Sequence, residues 1–186
     1  RFGALLVVND DKINAHTGFG THPHRDMEII TIPLSGTLTH EDSTGGRGTI
    51  GLGNIQVMTA GTGVKHSEYN HGDVTVHSYQ LWILPEERGL VPSYKDAEYD
   101  KNKEGLSTLV SKNLEGTTHI HQDAYISVGY LKTIGETYPL PLHKNENHGL
   151  FITTMLGDVV LAVDGTEYKL SQGDSVEIDY MPNNAT

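Results

Sequence analysis

The chain has 186 residues, enough to bury a sizeable core as one large β domain or two small ones. Its net charge of -11 would repel phosphate backbones, and no basic patch interrupts the acidic balance, so direct binding to nucleic acid is not expected. No cysteine is present, which excludes disulfides, thiolate metal ligands and a cysteine nucleophile. Any bound metal must therefore use histidines and carboxylates.

Most apolar segments are short, rich in β-branched and aromatic residues, and bounded by turn-forming residues, which predicts an all-β protein. Asp164-Gly165 has the chemistry of a tight hairpin turn. No apolar run approaches the roughly 20 residues that span a bilayer, so we expect a soluble body with no membrane partner. In chain order, the predicted strands are residues 2–8, 28–34, 37–41, 54–59, 74–84, 124–131, 149–156, 158–163 and 175–178.

The strand pattern breaks once, in a charged and turn-rich stretch before residue 118. This break predicts a first domain over residues 1–85, a linker over 86–118 and a second domain over 119–186. Each half contains a glycine turn followed by an apolar run, which makes a duplicated β-barrel plausible.

Both ends of the sequence are expected to be trimmed. Arg1 is not an initiator residue, and residues 183–186 follow directly after an apparent strand, so we expect the second domain to be incomplete. No signal peptide is visible in the stretch given, which favours a cytoplasmic protein, or a nuclear one in a eukaryote.

Two pairs of ligand-type residues stand out, each at positions i and i+2: His22 with His24, and His66 with Glu68. Successive side chains of a strand point to opposite faces, so the members of each pair share one face. We predict that the two pairs lie on neighbouring strands and converge on one metal ion.

Three imidazole nitrogens and one carboxylate oxygen suit Fe(II), Mn, Ni, Cu or Zn, and they leave coordination positions open for a substrate. The alternative is that these histidines lie in glycine-rich surface loops and bind nothing, as a single His-x-His motif would suggest. Two pairs favour the metal site, because a buried cluster without metal would leave costly polar groups without partners.

The other histidines do not form a second set of this kind. His119 and His121 are again spaced i and i+2, but no matching pair follows them. We therefore expect the second domain to hold no metal. We expect surface positions or satisfied strand positions for His40, His71 and His77.

Residues 18–36 and 53–70 resemble the two cupin motifs. More narrowly, the chain resembles the pirin family of bicupins, in its bacterial branch of quercetin 2,3-dioxygenase-like proteins. The blocks that carry this resemblance are residues 2–5 (FGAL), 21–31 (THPHRDMEIIT), 59–63 (TAGTG), 66–70 (HSEYN) and 80–85 (QLWILP).

The resemblance implies two double-stranded β-helix (jelly-roll) barrels, of which the C-terminal one is degenerate. It also implies one divalent metal in the N-terminal barrel, most often Fe(II), with Zn, Mn, Ni, Cu or Co as other ions that such a site accepts. Glu68 would replace the glutamate that many cupins take from their first motif, which here is Glu28. The implied ligands are His22, His24, His66 and Glu68.

Two functions follow from the resemblance. The first is a dioxygenase that opens quercetin or a related flavonol with O2 and releases CO, with Glu68 as both catalytic base and ligand. The second is a non-enzymatic, iron-dependent regulatory cofactor that binds a transcription factor or another protein. Both use the same metal site, so the sequence leaves them open.

Overall fold

The computed structural model describes residues 1–143 and 148–186. These residues form sixteen strands and no helix, which confirms the all-β prediction. Within them, no helix long and apolar enough to cross a membrane is found. The strands are β1 (Leu5–Ile13), β2 (Gly18–His24), β3 (Glu28–Ser35), β4 (Thr37–Asp42), β5 (Arg47–Gly51), β6 (Asn54–Thr59), β7 (Val64–Tyr69), β8 (Val76–Ile83), β9 (Ser93–Glu98), β10 (Gly105–Ser111), β11 (Thr118–His119), β12 (Tyr125–Tyr130), β13 (Leu150–Thr153), β14 (Val159–Val163), β15 (Thr166–Leu170) and β16 (Ser175–Ile178).

The chain folds into two compact units. The first unit comprises Arg1 with residues 3–101 and 109–126, and the second comprises Phe2 with residues 102–108 and 127–186. The domain boundaries at residues 85 and 118 stay a prediction.

A five-stranded antiparallel sheet, ordered β1-β8-β3-β6-β9, forms one wall of the first unit. Its central strand, β3, is buried at every position except Ser35. A strand that is covered on both faces needs a continuous apolar run rather than an alternating one, and Ile29, Ile30 and Ile32 meet that need.

The edge strand β9 lies in the segment for which we expected a linker without strands. It pairs with β6 along its whole length, from Asn54 opposite Glu98 to Thr59 opposite Ser93. Its sequence, SYKDAE, is mostly exposed and charged. Charged side chains are common on edge strands, where they oppose pairing with other chains, and they hide the strand from an apolar-pattern search.

A four-stranded sheet, ordered β2-β7-β4-β5, forms the other wall of the first unit. β7 lies at its centre, pairing antiparallel with both β2 and β4. The sequence pattern did not predict β5, because RGTIG contains only one large apolar residue. β2 is irregular, with a bulge between Phe19 and His22. Such bulges change the direction in which the following side chains point.

The second unit contains the hairpin β14–β15 and the antiparallel pair β13–β16. Asp164 and Gly165 join the hairpin with φ angles of 46° and 85°, which confirms the predicted tight turn, since type I′ turns need positive φ at both positions. The core of this unit consists of Leu161, Val163, Leu170, Ile178 and Ala185.

Candidate metal centre

The two predicted ligand pairs lie on neighbouring strands. β2 carries His22 and His24, β7 carries His66 and Glu68, and His22 lies directly opposite His66 in the antiparallel register. On β7 the burial alternates. His66 and Glu68 are 1% and 3% exposed, whereas Lys65 is exposed and Ser67 is half-buried. The alternation predicted for this strand is therefore confirmed.

Three imidazoles meet at this place. The rings of His22, His24 and His66 have centroids 4.4 to 4.9 Å apart, and each ring offers a ligand atom within 4.8 Å of the other two. Nε2 of His24 and Nε2 of His66 are buried and have no hydrogen-bond partner among the described residues. Buried ring nitrogens without partners are costly in an empty protein interior, and a metal ion would satisfy them.

The protonation of these rings suits a cation. Burial and the neighbouring histidines lower the pKa of His66 to about 3. Burial and the charge of His22 also lower the pKa of His24. Nδ1 of His22 lies 2.8 Å from the carbonyl oxygen of Gly20, and donating to that oxygen leaves Nε2 with a lone pair. Neutral imidazole is the form that binds metals, so the cluster is ready to accept one near pH 7.

Glu68 is held by two amides from the facing sheet. Nε2 of Gln80 donates to one carboxylate oxygen at 2.9 Å, and Nε2 of Gln56 lies 3.5 Å from the other. Nε1 of Trp82 donates to Oε1 of Gln80 at 2.8 Å, which fixes the amide orientation that points its NH2 group at Glu68. Burial raises the pKa of the Glu68 carboxyl. Glu68 is thus a positioned carboxylate with increased basicity.

A fifth residue, His40, lies beside the four predicted ones. His40 on β4 is directly opposite Glu68 and is fully buried, and His40, His66 and Glu68 offer ligand atoms within 4.8 Å of one another. We expected His40 at the surface or at a satisfied strand position. It is a buried strand residue, and its Nε2 lies 2.9 Å from Oδ2 of Asp42. The structure therefore gives two overlapping groups that share His66, and not one group of the four predicted residues.

The remaining candidates lie elsewhere. Nδ1 of His121 lies 3.0 Å from Glu28, whose other oxygen accepts a hydrogen bond from Thr59. Nδ1 of His119 lies 2.9 Å from the carbonyl oxygen of Lys112. Neither histidine belongs to the metal-type groups found within residues 1–143 and 148–186.

Gly18 allows β2 to approach β7 closely enough to bring the pairs together. A Cβ atom at Gly18 would lie 2.3 Å from the carbonyl oxygen of Glu68 and 2.6 Å from Cα of Tyr69. We expect Gly18→Ala to push β2 away from β7, to lower the free energy of unfolding by about 1–3 kcal/mol and to weaken metal binding. Gly20→Ala is the matched control, because a Cβ atom there meets nothing within 4 Å. Chemical denaturation and metal titration of both variants test this, and equal behaviour of the two would contradict it.

Comparisons with known proteins agree with this picture. Residues 2–83 match the family model described as Pirin. A quercetin 2,3-dioxygenase of Escherichia coli (strain K12) is 46% identical over 123 residues, which cover 66% of this chain and 53% of that protein. The chain thus spans about half the length of this curated relative.

Solved structures extend the likeness over almost the whole chain. The crystal structure of YhhW from Escherichia coli has a TM-score of 0.71 and 32% identity, and the match covers 99% of this chain and 80% of that one. The structure of the bacterial pirin YhhW in complex with nickel(II) has the same TM-score of 0.71 and 31% identity, with coverage of 99% and 81%.

Proposed function

Because the chain belongs to the pirin family, we propose that it is a metal-dependent dioxygenase that cleaves quercetin or a related flavonol with O2 and releases CO. The observation that carries this proposal is the cluster of three imidazoles, two of them with buried Nε2 atoms that have no partner among the described residues. The name of the curated Escherichia coli relative supports the flavonol substrate.

His22, His24, His66 and Glu68 are the proposed ligands of one divalent metal, with Fe(II) as the first candidate. The nickel(II) complex of YhhW supports a divalent ion. Imidazole and carboxylate donors also accept Zn, Mn, Cu or Co, so the donor set fits a first-row metal without selecting one. No cysteine is available to favour a structural zinc site.

Within the proposed reaction, Glu68 accepts the proton of the flavonol hydroxyl. Its burial makes the carboxylate more basic than an exposed one, and the amides of Gln80 and Gln56 orient its two oxygens. A bound metal would supply Lewis-acid chemistry and a common binding point for the flavonol and O2. The paired strands β2 and β7 hold His22, His24 and His66 in place.

We also propose a cytoplasmic location for the protein.

The experiment is aerobic turnover of quercetin by the full-length protein after anaerobic loading with Fe(II). We expect loss of the flavonol absorbance together with CO release, both dependent on the metal. One bound metal per chain without turnover would contradict the enzyme and favour an iron-dependent regulatory cofactor that binds another protein.

A further inference from the structure

A buried line of polar side chains leads from Asp42 through His40 to His66. Oδ2 of Asp42 lies 2.9 Å from Nε2 of His40, and Nδ1 of His40 lies 3.3 Å from Nδ1 of His66. The side chains of His40 and Asp42 are 0% and 1% exposed, and His66 is 1% exposed. Water therefore has little access to any of these contacts, and their hydrogen atoms must be shared among the three groups.

The turn after β4 keeps Asp42 in its ionised form. Oδ1 of Asp42 accepts hydrogen bonds from the backbone N–H of Thr44 at 2.7 Å, from its hydroxyl at 2.6 Å and from the N–H of Gly46 at 3.0 Å. Although burial raises the pKa of Asp42, these hydrogen bonds and the one from His40 lower it overall. An ionised carboxylate can only accept, so Nε2 of His40 must carry a hydrogen.

That assignment determines the hydrogens of both rings. When the single hydrogen of the His40 ring lies on Nε2, Nδ1 has a lone pair. Two bare nitrogens 3.3 Å apart would repel each other, so Nδ1 of His66 must carry the hydrogen between them. Neutral His66 then has its lone pair on Nε2, which is the buried atom that lacks a partner among the described residues.

The ring of His40 is also fixed in its plane. It stacks on the ring of Tyr94 with centroids 4.5 Å apart and an angle of 19°. Tyr94 comes from β9 of the facing sheet and fits against Gly48, where an added Cβ atom would lie 2.1 Å from its hydroxyl oxygen. His40 is thus held between a rigid aromatic ring and a charged carboxylate.

We propose that Asp42 and His40 are positioning residues that fix His66 in the tautomer whose Nε2 lone pair faces the metal centre. This inference rests on the proposed function, because it takes His66 to be a ligand of the proposed metal. Groups behind a metal-binding histidine orient the ring and increase its basicity, and their loss typically weakens metal binding by about 10- to 100-fold. The same size of effect is expected here.

Asp42→Asn reverses the arrangement with almost no change in shape. The three donors at Oδ1 require an oxygen in that place, so the new NH2 group must face His40. His40 would then accept on Nε2 and donate from Nδ1, and His66 would be forced to carry its hydrogen on Nε2. Asp10→Asn is the matched control, because Oδ1 of Asp10 contacts Nε2 of His77 away from the centre.

The test uses the full-length protein without metal and long-range 1H–15N correlation spectra of its histidines. We expect His66 to carry hydrogen on Nδ1 in the wild-type and Asp10→Asn proteins and on Nε2 in Asp42→Asn. Hydrogen on Nε2 in the wild-type protein would overturn the proposal without any variant. Because this readout needs no metal, it does not depend on the proposed function.

Metal titration against a competing chelator completes the test. We expect Asp42→Asn to raise the metal Kd about 10- to 100-fold, and Asp10→Asn to leave it unchanged. An unchanged Kd in Asp42→Asn would overturn the proposal. Two ions bound per wild-type chain would also overturn it, since His40 would then be a ligand of a second ion.

Discussion

Replacing His24 with alanine is expected to reduce the bound metal from about one ion per chain to background. Nε2 of His24 is buried without a partner within the part of the chain that the structure describes, and its ring lies edge-on to Trp82 with centroids 4.8 Å apart. The variant would keep two imidazoles and one carboxylate, one donor fewer than the proposed site, so it should bind the ion more weakly and lose it during extensive dialysis.

The control for this prediction is His119→Ala. His119 and His121 have the same i and i+2 spacing as the pair on β2, but Nδ1 of His119 donates to the backbone carbonyl oxygen of Lys112, and His119 lies outside the metal-type groups of the described residues. Elemental analysis after extensive dialysis measures the metal content of both variants. One ion per chain in the His24 variant would refute the assignment of this ligand.

The second large effect is expected for Glu68→Gln. An amide cannot accept the flavonol proton, and general-base catalysis typically contributes about 10²- to 10⁴-fold to a rate. The change is isosteric, so the three imidazoles stay in place and metal binding is weakened rather than lost. Quercetin turnover at saturating metal should therefore fall by a factor in that range.

Glu28→Gln is the matched control for this variant. Glu28 is also a fully buried glutamate of the first unit, but its contacts are Thr59 and His121. Its turnover should stay within a few-fold of the wild-type value, with CO release measured alongside flavonol loss. Equal losses in both glutamate variants would indicate a structural effect and contradict a specific role for Glu68.

The ligand pairs were accessible from the sequence because their signal is local. A strand places residues i and i+2 on one face, so His66 and Glu68 could be grouped without knowledge of the fold. His40 and Gln80 carry no such signal. His40 reaches the centre because β4 pairs with β7 in a register that places it opposite Glu68. Gln80 reaches it from the facing sheet, where its amide donates to Glu68.

The fold was predictable to a similar extent. The all-β bicupin class is confirmed, although no sheet formed by residues 1–143 and 148–186 closes into a complete barrel. Buried strands such as β3 and β6 were visible as apolar runs. The exposed edge strand β9 was not, because its stability comes from pairing with β6 rather than from its own apolar residues.

Anomalous diffraction from crystals of the metal-loaded, full-length protein tests the central claim most directly. We expect one peak per chain, about 2.0–2.2 Å from a nitrogen of each of His22, His24 and His66 and from an oxygen of Glu68. A peak bound by His40, His66 and Glu68 without the two histidines of β2, or no peak at this place, would contradict the proposed metal centre.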